Sequence, residues 1–183
     1  PIAYMPYFST PDPTVKRKSG FLMPGYFPGT SATGFGAEIP YYWAIAPDYD
    51  VTFDPRFMSR QSVLLQVEFR QRLLNGADQV RAQGGDQLDP AAFSGQPGDR
   101  EFRGGLETKG QFAINDKWVW GWDGVILSDY YFMQDYRLAQ YRDPMSSFIN
   151  LPTEAISQLY LTGVGNRSFF DVRSIYYLSF SGN

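Results

Sequence analysis

The sequence predicts an all-β fold, a partial antiparallel up-and-down barrel with about nine strands present, from three observations. Apolar and charged residues alternate along segments of about ten residues, as in a strand with one oily and one wet side. In the segment 49–58, Tyr49, Val51, Phe53 and Phe57 oppose Asp50, Thr52, Asp54 and Arg56. Short turns alternate with longer loops along the chain. Aromatic residues lie beside the short turns, namely Tyr41, Trp43, Tyr49, Trp118 and Trp120.

The predicted strands follow this alternation and end at turn-forming residues. In chain order they are 20–26, 35–45, 49–58, 62–73, 77–83, 101–114, 117–129, 154–164 and 168–180. Pro24 interrupts the first strand, and Asn75-Gly76 predicts a tight hairpin because both residues tolerate positive φ. The other short turns are 46–48, 115–116 and 165–167. The connections that would lie at the opposite end of the barrel are 30–34, 59–61, 84–100 and 130–152. All of these are longer except 59–61.

Two architectures fit this pattern. A soluble β-sandwich also alternates and also has turns. An outer-membrane barrel is distinguished by strands near ten residues, short turns at one end, longer loops at the other, and aromatic residues at the strand ends. The sequence has these features, so they favour a transmembrane barrel, with the sandwich as the alternative.

The composition argues against several kinds of chemistry. The 183 residues include no Cys and no His, which removes thiolate metal sites and the commonest general base. A net charge of −3 and only one short basic cluster argue against nucleic-acid binding. We find no phosphate-binding loop or nucleophile motif, and we predict no catalytic residue, metal or cofactor. An outer-membrane enzyme that uses paired carboxylates is the alternative of a different class, although the carboxylates here alternate with basic residues.

Motifs in the first 70 residues resemble those of the LptD family of lipopolysaccharide-assembly proteins. They are Tyr4-Met5-Pro6-Tyr7-Phe8, Arg17-Lys18-Ser19-Gly20-Phe21-Leu22-Met23-Pro24, the run from Ile39-Pro40-Tyr41-Tyr42-Trp43 through Ala46-Pro47-Asp48 to Thr52, and Glu68-Phe69-Arg70. Each motif alone is weak, whereas their combination at these spacings is specific. The resemblance implies a protein with a periplasmic β-jellyroll and a very large outer-membrane barrel.

The resemblance also implies a function and partners. Residues 1–19 would be the end of the periplasmic jellyroll and a linker, and residues 20–183 the N-terminal part of the barrel. The protein would deliver lipopolysaccharide to the outer leaflet of the Gram-negative outer membrane, with its N-terminal residues in the periplasm. Its partners would be lipopolysaccharide, outer-membrane lipids, the plug lipoprotein LptE and the periplasmic bridge protein LptA or an equivalent. The rival is a generic outer-membrane porin or receptor barrel.

Two prolines carry the predicted site. Pro24 and Pro40 have no N–H to donate to a strand ladder. The resemblance places them on the first two strands, beside a lateral seam where weak pairing would let the wall part. The alternative is that each proline only marks a strand end or a bulge.

Charged residues at alternate positions are predicted to line an aqueous lumen. They are Asp54, Arg56, Glu68, Arg70, Arg72, Glu101, Arg103, Glu107 and Lys109. The basic residues among them would contact lipid phosphates or the plug, and cross-strand charge pairing is the alternative. Lys16, Arg17 and Lys18 form a basic linker that would either meet phosphorylated headgroups or remain solvated.

Overall fold

A single antiparallel sheet forms most of the structure, a computed structural model that describes residues 17–129, 131–138 and 154–179. Its strands are β1 (Gly20–Phe21), β2 (Gly25–Thr30), β3 (Gly34–Glu38), β4 (Tyr41–Ala44), β5 (Tyr49–Met58), β6 (Leu64–Leu73), β7 (Gly76–Asp86), β8 (Phe102–Asn115), β9 (Trp118–Leu127), β10 (Glu154–Val164) and β11 (Phe169–Ser179). A 3₁₀ turn, Pro90–Phe93, and one short helix, α1 (Phe132–Asp135), lie in the two long connections.

The strands form a meander in the order β1-β4-β5-β6-β7-β8-β9-β10-β11, while β2 pairs with β3 and β3 with β5. β1 and β2 are therefore two halves of one interrupted strand, and β3 and β4 are two halves of the next. Counted in this way the eleven segments make nine strands, as the sequence predicts. The all-β antiparallel prediction is confirmed, and the sheet is not closed within the described residues, as expected of a partial barrel.

The structure differs from the prediction at several strand boundaries. The predicted strand 35–45 is interrupted at 39–40, where Pro40 lies. The predicted fifth strand, 77–83, extends over Gly76–Asp86 because it pairs along its whole length with β8. β2 runs into the predicted 30–34 turn and reaches Thr30 through a register shift after Phe27. Residues 1–16 lie outside the described residues, so the domain division after residue 19 stays a prediction.

The registers place charged and apolar residues on opposite faces of the sheet. One face, which we call the charged face, carries Asp50, Asp54 and Arg56 together with the residues that oppose them on β6. The other, the apolar face, carries Val51, Phe53 and Phe57 of β5 and Trp118, Trp120 and Trp122 of β9. Large apolar side chains on this second face remain exposed, for example Leu65 at 45% and Ile126 at 63%. An unpartnered apolar surface of this extent indicates an apolar environment or a partner.

A small apolar core lies at the end of the sheet where the two long connections are. It consists of Leu64, Phe132, Met133, Tyr136 and Leu138, with Met58 and Leu127 packed against it. The short helix α1 supplies two of these side chains, and β6 supplies Leu64. The described residues of this connection, 128–129 and 131–138, therefore fold against the sheet. None of the helices among the described residues has the length and apolar character needed to cross a membrane.

Candidate functional site

The first hydrogen-bonding defect of the sheet lies between its first two strands. The Leu22 N–H donates to the Pro40 carbonyl at 2.8 Å. Two residues that oppose each other as a hydrogen-bonded pair in an antiparallel ladder normally exchange two hydrogen bonds. Pro40 has no N–H to donate in return, so the pair is limited to one bond. The structure thus places Pro40 at the gap between β3 and β4.

A second defect lies one strand further into the sheet. The Ile39 N–H donates to the Pro55 carbonyl at 3.4 Å, and Pro55 has no N–H to return. The register is continuous across this point, since Glu38 opposes Arg56 and Tyr41 opposes Phe53 on either side. Pro55 therefore limits the pairing of the second strand with β5 in the same way that Pro40 limits its pairing with the first. Pro55 was not among the predicted site residues, because its side chain fits the alternation of its strand and only its missing N–H distinguishes it.

The interruption of the first strand also contains one extra residue. Phe21 opposes Tyr41, whereas Gly25 opposes Glu38, so residues 22–24 face only residues 39–40. A one-residue excess of this kind is a β-bulge, which bends the strand and leaves a residue unpaired. Pro24 lies in this bulge and is exposed, as are Leu22 and Met23. The two predicted prolines are thus brought to the same level of the sheet edge.

Ion pairs and amides connect the strands across the middle of the charged face. Arg56 is buried and pairs with Glu38, and its Nη1 donates to the Tyr136 carbonyl of the folded connection. Gln66 donates to Asp54 at 3.3 Å and to Glu38 at 3.5 Å. These contacts connect β3, β5 and β6 and anchor the 128–138 connection to them.

A second group of ion pairs lies on β6, β7 and β8. Arg81 Nη2 lies 3.1 Å from Glu68, and its Nη1 lies 3.7 Å from Glu107. Gln83 Nε2 donates to the same Glu107 carboxylate at 3.4 Å. These are the cross-strand charge pairs that were the alternative to a ligand-contacting role.

Arg17 of the basic linker forms an ion pair with the charged face at the short-turn end of β5. Arg17 lies 3.0 Å from Asp50, a carboxylate that also pairs with Arg70 at 2.8 Å and accepts a hydrogen bond from the Tyr42 hydroxyl. The Asp50 side chain is 2% exposed, so these three groups enclose it. Lys18 is exposed, and Lys16 lies outside the described residues. The alternation of side chains predicted Asp50 on this face, whereas its pairing with Arg17 was not predicted.

A buried ionic cluster lies at the loop end of the charged face. Arg103 is fully buried and donates to Asp129 at 2.6 and 2.9 Å and to Asp135 at 2.9 Å. The rings of Phe93 and Tyr136 lie 4.8 and 5.3 Å from the guanidinium carbon, within the range of cation–π attraction. Burial raises the pKa of Asp135 above its ordinary value, although Arg103 acts in the opposite direction.

Of the nine residues predicted to line a lumen, eight lie on strands and share the charged face. These are Asp54, Arg56, Glu68, Arg70, Arg72, Arg103, Glu107 and Lys109. Glu101 precedes β8 and is exposed, and its carbonyl accepts a hydrogen bond from the Gln87 N–H. In the part of the chain that the structure describes, no group of three or more His, Cys, Asp or Glu side chains is arranged to hold a metal. Whether the shared face lines a lumen stays a prediction.

Comparisons with known proteins show one family. A family model described as "LptD: LPS transport system D" matches residues 101–183. The LPS-assembly protein LptD of Shewanella frigidimarina is 31% identical over 171 residues, which cover 93% of this chain and 20% of the relative. Its counterpart in Pseudomonas aeruginosa is 35% identical over 137 residues, 74% of this chain and 14% of the relative. A counterpart from a Shewanella species reaches 46% over 70 residues, 38% of this chain and 9% of the relative. The chain thus spans at most a fifth of the length of these relatives.

Proposed function

Because the chain belongs to the LPS-assembly protein LptD family, we propose that it forms part of the wall of an outer-membrane barrel that delivers lipopolysaccharide to the outer leaflet. In this proposal the apolar face contacts outer-membrane lipid and the charged face lines the water-filled interior. A strand that presents exposed leucine, isoleucine and tryptophan on one face and ion pairs on the other suits both environments at once. All the matched relatives reported above carry the LPS-assembly name, and none supports the rival porin or receptor.

The observation that carries the proposal is the interrupted edge. A closed barrel in lipid satisfies all its backbone groups between neighbouring strands. The hydrogen-bond ladder of this sheet is weakened at one level by the bulge at Pro24, by Pro40 and by Pro55. We assign this level to a lateral seam, where the first strands separate from their neighbours so that lipid leaves sideways into the membrane.

The proposal includes two protein partners. A plug lipoprotein, LptE, would occupy the interior against the charged face, and the bridge protein LptA or an equivalent would deliver lipid on the periplasmic side. The short turns at 45–48, 74–75 and 116–117 suit the periplasmic end, because outer-membrane barrels have short periplasmic turns and longer outer loops. Residues 1–16, which precede the described part, would then lie in the periplasm. The protein would act as a transporter, without catalytic residues in this sheet.

The test uses the full-length protein in a strain that depends on it for export. The variant Pro24→Ala/Pro40→Ala is expected to reduce the amount of newly made lipopolysaccharide at the cell surface, because it restores two backbone donors near the seam. Pro47→Ala is the matched control, since Pro47 is an exposed proline in the 45–48 turn. Unchanged export by the double variant at native protein levels contradicts the seam. Failure of the native protein to support export contradicts the transport function itself, and solute leakage through it in liposomes, without lipid delivery, favours a porin.

A further inference from the structure

A single carboxylate interrupts the apolar face inside a strand. Among the strands that the structure describes, the registers place only two charged residues on this face, Asp78 and Asp86. Asp86 ends β7 and is exposed, whereas Asp78 is the third residue of β7 and is half-buried. Val80 and Ala82 follow Asp78 on the same face. A half-buried carboxylate among apolar side chains favours a cation as its partner.

The strands around Asp78 do not supply that cation. Among the described residues, the Asp78 side chain makes no ion pair or hydrogen bond. Arg70 and Arg72 of the neighbouring β6 lie on the charged face, on the other side of the sheet. Gln71 opposes Asp78 on β6, and its side chain likewise makes no hydrogen bond to any residue that the structure describes. A carboxylate and an amide thus lie side by side on the apolar face with hydrogen-bonding capacity for a ligand.

A tryptophan ring lies on the other side of Asp78. Gly110 opposes Asp78 on β8, and the ring of Trp122 from β9 covers this glycine, since a Cβ added to Gly110 would clash with the ring carbons. The Trp122 indole donates to the Thr108 hydroxyl at 2.9 Å, which fixes the ring over β8. Adjacent strands lie about 5 Å apart, so the ring is about one strand spacing from Asp78. A cation bound by Asp78 is therefore within reach of cation–π attraction.

These residues lie at the level where a lipid headgroup meets the wall of a barrel. We call Gln71, Asp78, Gly110 and Trp122 the Asp78 niche. Asp78 is two residues from the start of β7, about 7 Å along the strand from the short-turn end. A charged side chain on a lipid-facing wall is tolerated near the interface far better than at the middle of the membrane. Tyr49 opposes Gln71 on β5, so aromatic residues flank the niche on both sides, as at a membrane interface.

We propose that the Asp78 niche binds the headgroup of an aminophospholipid of the periplasmic leaflet, with the ammonium on Asp78 and a phosphate oxygen on the Gln71 amide. The inference rests on the proposed function, which places the apolar face in lipid and the short turns at the periplasmic end. A primary ammonium carries a positive charge and three donors, so it binds the carboxylate and lies against the Trp122 ring. The Gln71 NH₂ group is a donor, as a phosphate oxygen requires. The bound molecule is a lipid of the surrounding membrane, held on the outside of the sheet.

Zero-length cross-linking of the full-length protein in isolated outer membranes identifies the group that contacts Asp78. A carbodiimide joins a carboxylate to a primary amine in contact with it as an amide, with loss of water. Peptides that contain Asp78 are expected to carry an aminophospholipid. Asp116 is the matched control, because it is an exposed aspartate in the turn 116–117 at the same end of the sheet. Lipid adducts no more frequent on Asp78 than on Asp116 overturn the inference, and a lysine of another protein joined to Asp78 replaces the lipid by a protein partner.

Native mass spectrometry of the delipidated full-length protein measures the affinity of the niche. With matched acyl chains, phosphatidylethanolamine is expected to bind more tightly than phosphatidylglycerol, which has no ammonium. Asp78→Asn is expected to weaken phosphatidylethanolamine binding by about tenfold, as loss of one charge-assisted hydrogen bond predicts, and to leave phosphatidylglycerol binding unchanged. Asp116→Asn should keep the native preference. Equal affinity of Asp78→Asn and the native protein for phosphatidylethanolamine, or an equal loss in Asp116→Asn, overturns the inference.

The export assay described above separates this inference from the proposed function. A native protein that exports lipopolysaccharide but gives one of the contrary results has lost only the Asp78 niche as a lipid site. A native protein that fails to export contradicts the proposed function, whatever the cross-linking and the binding measurements give.

Discussion

Replacement of Pro40 by alanine tests the interrupted edge most directly. The Pro40 carbonyl accepts the Leu22 N–H at 2.8 Å, and an alanine at the same position supplies the N–H that the Leu22 carbonyl lacks. One added backbone hydrogen bond contributes about 0.5–1.5 kcal/mol net. This free energy corresponds to an opening equilibrium constant that is about 2- to 12-fold smaller between the first two strands.

Amide hydrogen exchange of the full-length protein in detergent measures this opening. Peptides that cover 20–24 and 39–44 are expected to exchange more slowly in Pro40→Ala than in the native protein, by the same factor. Pro55→Ala is the second variant in this experiment. It is expected to slow exchange where the strand formed by β3 and β4 pairs with β5, because it supplies a donor for the Ile39 carbonyl. Pro47→Ala should leave both regions unchanged. Native exchange rates in Pro40→Ala would refute the explanation that a missing donor weakens this edge.

Two further predictions concern the ionic cluster at the loop end. Arg103→Met leaves the carboxylates of Asp129 and Asp135 without their cation and is expected to cost about 3–5 kcal/mol, seen as faster protease cleavage in 128–138. Arg60→Gln, which changes an exposed arginine that donates to the Ser31 carbonyl away from this segment, should not accelerate the cleavage. Because burial raises the pKa of Asp135, protonation of this group favours the folded state. Its contribution is complete below the ordinary Asp pKa of about 3.9 and is lost as pH rises through the raised value. Cleavage should therefore accelerate with rising pH in this window and lose that dependence in Asp135→Asn, and an unchanged pH profile in the variant would assign the effect to another group.

The alternation of side chains was sufficient to predict the strands with regular pairing. It predicted β5 at 49–58 with the bounds that the structure gives. Asn75-Gly76 predicted the hairpin between β6 and β7 to within one residue: the turn is Leu74–Asn75, Gly76 begins β7, and neither Asn75 nor Gly76 has a positive φ. The alternation of apolar and charged residues shows on which face of the sheet each side chain lies, because successive side chains point to opposite faces. It therefore also predicted that the nine charged candidates share one face, which the structure shows for the eight that lie on strands.

The features that sequence reasoning missed depend on which residues lie opposite each other. Pro55 occupies a regular position on the apolar face, so the pattern of side chains does not distinguish it. Its effect on the backbone appears only once Ile39 is known to be its partner. Asp129 lies in a connection 26 residues from Arg103, and no local pattern relates the two. The ring of Trp122 covers Gly110 on the neighbouring strand, a contact that also follows only from the register.

The position of the defects favours a sideways exit over passage along the whole charged face in the proposed transport route. Movement towards the loops would bring an anionic headgroup past Glu68 and Asp54 and against the apolar core of Leu64, Phe132 and Tyr136. The weakened level at Pro40 and Pro55 precedes this core, since Pro55 opposes Leu65 and lies between the turn at 45–48 and the loop end of β5. The lateral seam is therefore reached before the core, so the proposed route requires separation of the first strands and no opening of the loop end.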